Sequence, residues 1–435
     1  MISLDLMQVL NNLYIGMVLY KLLSGGLMHA IFEREVKKDN KKSAFFVLLL
    51  SCILVTVGDL RNIVSPSGYW VLWGVVFFIG LFSGNSKLKL THEVIAISAG
   101  FFLMIMAFFL AGLANSDLYT LYQAVKYFAI YLIFIVIYNC SSLLGVNDFY
   151  RLTVISILVS LLVFLSSKYI FTDFYISSGD GRQGSVLAYP GVLWKVSAFF
   201  SPFVIAAMFS GRIVKLAFGL TIFFISVYIL LADSSRTGFI WFSFIIFSFY
   251  CMFFWLFPLK MFIASTVALL LGLLVFFLMV GHLVLIDYSS LLVLNRLFDG
   301  DPVRAAMIVD GVSNAEKCIP FGCGFGSSLS LVAGEPMVVH NVYLSILGDA
   351  GIIGEISLLV LIFLPVSLFV IPDVLLVRRV SNVNFKLAAV LGVSCYCFLM
   401  ALHPLSSEMS EWGYWIIMIS WLSCIYRKTN AEKHI

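Results

Sequence analysis

Apolar runs of about 20 residues recur from one end of the chain to the other. Each is long enough to cross ~30 Å of hydrocarbon as a helix. Of the 435 residues, 62% are hydrophobic and only 11% are charged, which excludes an ordinary soluble domain. Most of the length is therefore spent on membrane helices. Hydropathy places spans at 6–30, 44–61, 69–83, 92–114, 119–139, 151–170, 189–209, 213–232, 237–256, 261–285, 342–371, 387–403 and 411–426. The first carries Asn11, Asn12 and Lys21 and either crosses or lies in the interface. Twelve or thirteen crossings are expected, in one all-α integral-membrane domain covering residues 1–435.

The N-terminal "MISLDLMQVLNN" shows neither a basic n-region nor a small-residue cleavage site, so no cleaved signal peptide is expected. Heptads, soluble-type repeats and low-complexity linkers are absent from the sequence, as are nucleic-acid motifs and any large basic patch. Nucleic acid is not an expected partner.

Lysines and arginines set the orientation, because cytoplasmic connectors carry the excess. Taken alternately, one set of connectors holds 17 of the 27 cations: "EREVKKDNKK", "GNSKLKL", the segment ending at Arg151, "GRIVK", "PLK", "VRRVSNVNFK" and the tail. The opposite set holds six: Arg61, Arg182, Arg236, Arg296, Arg304 and Lys317. The first set is assigned to the cytoplasm, with the C-terminus inside. The long connector 286–339 then lies outside, with "TDFYISSGDGRQGSVLAY" and "ADSSRTG". If that side is oxidising, Cys318 and Cys323 in "CIPFGC" can pair; otherwise they are two free thiols.

The few external cations sit in polar, glycine-containing segments. In "LLADSSRTGF", Ser234, Ser235 and Thr237 can cap the next helix. Arg236 beside that helix start suits an anion, either phosphate or a lipid headgroup. In "FDGDPVRAAMIVDG", Asp301 and Pro302 open a helix with Arg304 in its first turn, and Gly311 is expected to end it. Asp299 and Asp301 form a D-x-D pair, but Asp301 already serves as a cap, and no metal is expected. The following "PFGCGFGSS" reads as a tight, glycine-rich turn rather than a phosphate cradle.

His340 and Asn341 open the next span. A neutral imidazole there can take a proton near pH 7 while facing both water and the membrane. Beneath it, Gly348, Gly351 and Gly354 have the spacing that lets another helix approach closely. Lys126 and Lys195 are placed about two turns below the outer surface, roughly 10 Å at 1.5 Å per residue. They either snorkel outward or deepen an outward-opening cationic cavity, with Arg182 on its rim. His403, near Glu408 and Glu411, is read as structural.

The order of these features resembles the O-antigen ligase and polymerase superfamily of bacterial envelopes, the WaaL-like ligases and Wzy-like polymerases. The likeness covers about 130 residues, from Ser234 to the helix after His340. The family's arginine after a mid-chain span is matched by Arg236. Its loop-helix arginine followed by P-x-G-x-G is matched by Arg304 and "PFGCG", and its His-Asn or His-Ser by His340 and Asn341. Ala306 to Val309 depart from the pattern, since many relatives carry an aromatic after the loop arginine. A thirteenth span would also depart from a twelve-span pattern with both termini inside.

The resemblance implies a GT-C-like, metal-independent glycosyltransferase that needs no cofactor. It would take glycan from undecaprenyl diphosphate at the periplasmic face of the inner membrane. Arg236 and Arg304 would stabilise the leaving diphosphate, and His340 would be the base. Arg182, Lys195, Lys126 and Asn341 would contact substrate. A polymerase would pass the chain to another lipid-linked repeat unit, beside a flippase and a chain-length regulator. A ligase would pass it to lipid A-core. "VVHN" has one histidine where ligases often show His-Leu-His-Asn, which favours the polymerase. A transporter of lipid-linked oligosaccharide or anions is the alternative of another class, although no paired repeats are visible. The enzyme reading requires Arg236, Arg304 and His340 to converge around a single pocket open to the exterior.

Overall fold

A computed structural model describes residues 27–83, 91–178, 181–209, 213–256, 258–260, 263, 266–267, 302–332, 334–375, 383–403 and 408–431. The expected span at 6–30 lies largely outside these residues, and so do most of 261–285, the loop start 286–300, and the pair Asp299 and Asp301.

Twelve helices lie among the described residues. In chain order they are α1 Leu27–Thr56, α2 Arg61–Ser83, α3 His92–Ala114, α4 Leu118–Leu143, α5 Val146–Tyr169, α6 Leu193–Met208, α7 Ile213–Asp233, α8 Arg236–Leu256, α9 Pro302–Cys318, α10 Val342–Leu375, α11 Val383–Leu402 and α12 Met409–Ala431. Two small antiparallel hairpins occupy connectors: β1 Tyr175–Ser177 with β2 Gln183–Ser185, and β3 Leu329–Val332 with β4 Glu335–Val338. Among the described residues, eight helices are long and apolar enough to cross a membrane. The chain is a polytopic all-α membrane protein.

Local chemistry sets the helix starts. Thr91 accepts from Val94 N to cap α3, and Asp117 accepts from Tyr119 N and Thr120 N to cap α4. Ser235 Oγ accepts from Gly238 N and opens α8 as expected. Pro302 stands at the first position of α9, where its missing N–H costs nothing.

Two boundaries differ from the sequence expectation. The charged stretch "EREVKKDNKK" is not a connector but part of α1; it holds no proline or glycine, and Lys and Glu are good helix formers. Gly311 does not end α9, which runs on to Cys318. A Cβ at Gly311 would stand 2.9 Å from Val339 and 3.1 Å from Leu344, so this glycine lets α9 lie against the start of α10.

The core sits on α6 and α12. Every residue of α6 from Leu193 to Ala207 is buried. Trp412, Trp415 and Trp421 of α12 are fully buried among Phe101, Phe134, Phe149, Phe200 and Phe203. These two helices are sheathed by protein, and the apolar surface of α2, α3 and α8 faces outward.

Successive helices reverse direction, so the connectors fall at two ends. Residues 57–60, 115–117, 170–178, 181–192, 234–235, 302–332, 334–341, 403 and 408 gather at one end, tied to one another. Asp59 Oδ2 accepts from Tyr189 N at 2.8 Å, Phe325 N donates to Thr120 Oγ1 at 2.7 Å, and Arg61 donates to Ser410 Oγ at 3.2 Å. Lys41, Arg151, Lys215, Lys386 and Arg427 lie toward the opposite end, where Lys41 pairs with Asp148 at 2.7 Å and Lys215 donates to Asn147. Among the described residues, Arg61, Arg182, Arg236, Arg304 and Lys317 thus sit at the end opposite to Lys41, Arg151, Lys215, Lys386 and Arg427.

Candidate functional site

Three cations singled out in the sequence, with His340, act electrostatically on one imidazole. His403 follows α11 directly, and its neighbours are contributed by distant segments. Burial, then the fields of Lys195, Arg304, His340 and Arg182, hold its pKa well below the ordinary histidine value. Both the desolvation and the nearby positive charge disfavour imidazolium, so His403 is neutral at pH 7. All four groups are therefore within electrostatic reach of a single ring.

Arg304 and His340 reach this place by packing. Arg304 lies in the first turn of α9, which lies against the start of α10 through Gly311. His340 stands two residues before α10, half-buried, with Val339 N donating to Ser328 O at 3.0 Å just before it. Asn341 is the helix cap: its Oδ1 accepts from Leu344 N at 3.1 Å. A structural task thus occupies the residue expected to contact substrate.

Arg236 is brought to the same end by a buried hub. Asp233, fully buried, accepts from Gly191 N at 2.7 Å and Trp194 N at 2.8 Å, and takes an ion pair from Arg182 at 2.9 Å. Arg182 also donates through Nε to the Asp233 carbonyl. Arg182 is thus chiefly a brace that ties the β1–β2 connector to the turn preceding Arg236. Trp194 carries the link inward: its indole lies 2.8 Å from where a Cβ on Gly238 would stand, and its ring centre is 6.2 Å from His403. Arg236 opens α8 two residues before Gly238.

The lysines have carboxylate partners that sequence reasoning did not assign. Lys126 forms a short ion pair with Glu408, whose other oxygen accepts from Trp70 Nε1 at 2.9 Å. Lys195, 7% exposed, lies 3.7 Å from Glu411. It sits in the first turn of α6, not two turns down, because the helix begins at Leu193. Neither lysine adds bare positive charge. Lys126 holds the connector before α12, and Lys195 the first turn of α12, against another helix, and the expected cationic cavity is locally balanced. An ionisable residue in an apolar span is costly enough to demand a partner, so "SSEMSE" at the next helix start was the available signal.

The loop after α9 is folded onto α10. Cys318 and Cys323 form a disulfide. Asp349, 2% exposed, accepts from Gly326 N at 3.0 Å, Ser327 Oγ at 3.1 Å and Ser328 N at 3.2 Å. Two of the α10 glycines, Gly348 and Gly351, make room for this loop, and Gly348 also faces the backbone of Ala315 in α9. A Cβ at Gly351 would stand 2.0 Å from Pro320 O, and one at Gly348 would stand 2.2 Å from Ser328 Oγ. Gly354 faces Ala350 and Ile346 of its own helix. Gly351 also has φ 69°, a value that L side chains rarely adopt, and it kinks α10.

Beside His403 is a cavity lined by Lys195, Phe199, Val342, Tyr396, Leu399, Met400, Glu411 and Tyr414. Val342 places the start of α10, two residues past His340, on its wall. No group of three or more His, Cys, Asp or Glu side chains placed to hold a metal occurs among the described residues. No protein-family model matches the chain, and no curated protein matches it.

Proposed function

We propose that the chain is a metal-independent, GT-C-like glycosyltransferase that polymerises undecaprenyl-diphosphate-linked oligosaccharide repeat units, O-antigen or a related polysaccharide. It would work at the periplasmic face of the bacterial inner membrane, with twelve or thirteen crossings, residues 286–339 as a periplasmic loop and the C-terminus in the cytoplasm. One observation supports the reading: Arg304, on the α9 helix that packs against the start of α10 through Gly311, and His340, just before α10, lie at the end of the bundle that also bears Arg236. The disulfide in the loop suits an oxidising compartment.

In this reading the acceptor hydroxyl attacks the anomeric carbon of the donor glycan. The bond from that carbon to the diphosphate oxygen breaks, and undecaprenyl diphosphate leaves. His340 takes the hydroxyl proton. Arg304 and Arg236 present planar donor forks to the developing phosphate charge. The polyprenyl tails lie along the outward-facing apolar helices, in contact with membrane lipids. A flippase would supply the lipid-linked units and a chain-length regulator would sit alongside.

Purified protein in liposomes with lipid-linked repeat units tests the proposal. Chain growth on the lipid carrier supports it. Transfer to lipid A-core instead would make the protein a ligase, and movement of substrate without bond formation a transporter. Within this assay Arg236→Lys is expected to lower turnover by about 10–100-fold, because charge is kept while the fork is lost. Unchanged turnover would mean that Arg236 only anchors lipid.

A further inference from the structure

We infer that Lys168, at the end of α5 that meets the β1–β2 connector, binds the phosphate of an anionic membrane lipid, a singly charged phosphodiester of the phosphatidylglycerol class. The inference is independent of the glycan reading given above.

Lys168 is half-buried in the last turn of α5, and its charge is not neutralised. Lys126 and Lys195 pair with Glu408 and Glu411. Among the described residues no carboxylate pairs with Lys168. Asp173, in the connector that follows, is exposed and forms no ion pair with it. Nζ donates one hydrogen bond, to Gln183 Oε1 at 3.0 Å, which leaves two of its three protons for a ligand. Three aromatic rings stand around the ammonium: Tyr169 at 5.7 Å, Phe164 at 5.8 Å and Tyr175 at 5.9 Å to the ring centres. These rings and the C-terminus of α5 favour a cation there without cancelling its charge. The side chain is thus already held in one place, so little further ordering is needed when an anion binds.

The surroundings select a lipid. Phe164 also meets Tyr228 of α7 at 6.1 Å, so the site lies where α5 and α7 adjoin. Tyr228 is within electrostatic reach of Tyr169 and Tyr175, which gathers three phenols in the neighbourhood of the ammonium. Both helices are long and apolar enough to cross a membrane. Away from the connector they present exposed apolar side chains, Leu162 on α5 and Leu220 and Phe224 on α7. Tyrosines at the end of such a surface belong at the level of lipid headgroups. An acyl chain can lie along that face while its phosphate meets Nζ. Charge then decides the class of lipid. Lys168 supplies one compact point charge. Arg182, next to Gln183, is already bound to Asp233. One positive charge matches the single negative charge of a phosphodiester, whereas a diphosphate would keep negative charge without a partner. A lipid on Lys168 also secures Gln183, beside the Arg182 brace that precedes Arg236.

The test places a photoreactive group at Tyr169, which is 68% exposed beside Lys168. Full-length protein carrying Tyr169→p-benzoylphenylalanine is irradiated in nanodiscs of equal phosphatidylglycerol and phosphatidylcholine with matched chains, and intact mass spectrometry reads the lipid adducts. The phosphatidylglycerol adduct is expected to exceed the phosphatidylcholine adduct by about three- to fivefold, the scale of one partly exposed ion pair. Adding Lys168→Met, which keeps an apolar stem, should bring the ratio to about one. Adding Lys168→Arg should keep the preference, and this variant also answers for folding, since it retains the charge. The inference is overturned if no lipid adduct forms, if the two lipids react equally in the protein that keeps Lys168, or if Lys168→Met leaves the preference unchanged. A third arm adds undecaprenyl phosphate at one tenth of the lipid. Loss of the phosphatidylglycerol adduct in proportion to that share supports a membrane phospholipid as occupant. Near-complete loss would give the site to the polyprenyl carrier and overturn the assignment. None of these readings depends on glycan transfer, so failure of the polymerase proposal leaves them standing.

Discussion

Replacing His340 with alanine is expected to lower glycan chain growth in liposomes by about 100- to 10,000-fold, the usual contribution of a positioned general base. The protein should still insert and fold. His340 is half-buried and precedes α10, while the cap of that helix is the side chain of Asn341. Removing the imidazole therefore leaves the helix start intact. His403 cannot take over. Burial and the surrounding cations keep its pKa well below that of an ordinary histidine, so it is a weak base at working pH. Single-turnover assays on the His340→Ala protein check this, with undecaprenyl diphosphate binding as control. Near-wild-type turnover removes His340 as the base.

Hydropathy located the helices because lipid contact and apolar composition go together. The expected spans at 92–114, 213–232 and 342–371 begin within a residue of α3, α7 and α10. Cation counting separates connectors where successive helices alternate in direction, and the described cations of the two sets lie at opposite ends. Burial inside protein left a weaker trace. Helix α12 is enclosed by other helices and rich in tryptophan and tyrosine, and it is not among the eight described helices long and apolar enough to cross a membrane. Pairing was the least legible feature. Glu408 lies 282 residues from Lys126, and no local pattern joins them. The roles of Gly311 and Gly351 depend on what packs against them, and only a partner segment reveals that. His403 looked structural because a lone histidine carries no pattern of its own. What singles it out is the convergence of Arg182, Lys195, Arg304 and His340 from four separate segments.

Asp349→Ala is expected to destabilise the protein by about 2–4 kcal/mol and to open the loop at 318–328 to proteases, although residue 349 contacts no proposed substrate group. The carboxylate accepts from Gly326 N, Ser327 Oγ and Ser328 N. Alanine leaves all three donors without that acceptor. Each orphaned donor costs about 1–3 kcal/mol, and the low end applies because Gly326 and Ser327 are only half-buried and can turn to water. The disulfide between Cys318 and Cys323 cannot compensate, since it closes its turn before Gly326. The effect reaches function through position. Ser328 O receives Val339 N just before His340, and Ser328 Oγ donates to Ser345 O. The same loop follows the helix that carries Arg304. Loosening it should let Arg304 and His340 drift apart and lower turnover roughly in step with the loss of order. Asp349→Asn keeps one oxygen able to receive Ser327 and Ser328, so it should fall between wild type and alanine in melting temperature. Limited proteolysis and thermal unfolding in detergent measure both variants. Wild-type protease resistance in the alanine protein would show that the loop is held by something other than this carboxylate. The proposed placement of Arg304 beside His340 would then need another support.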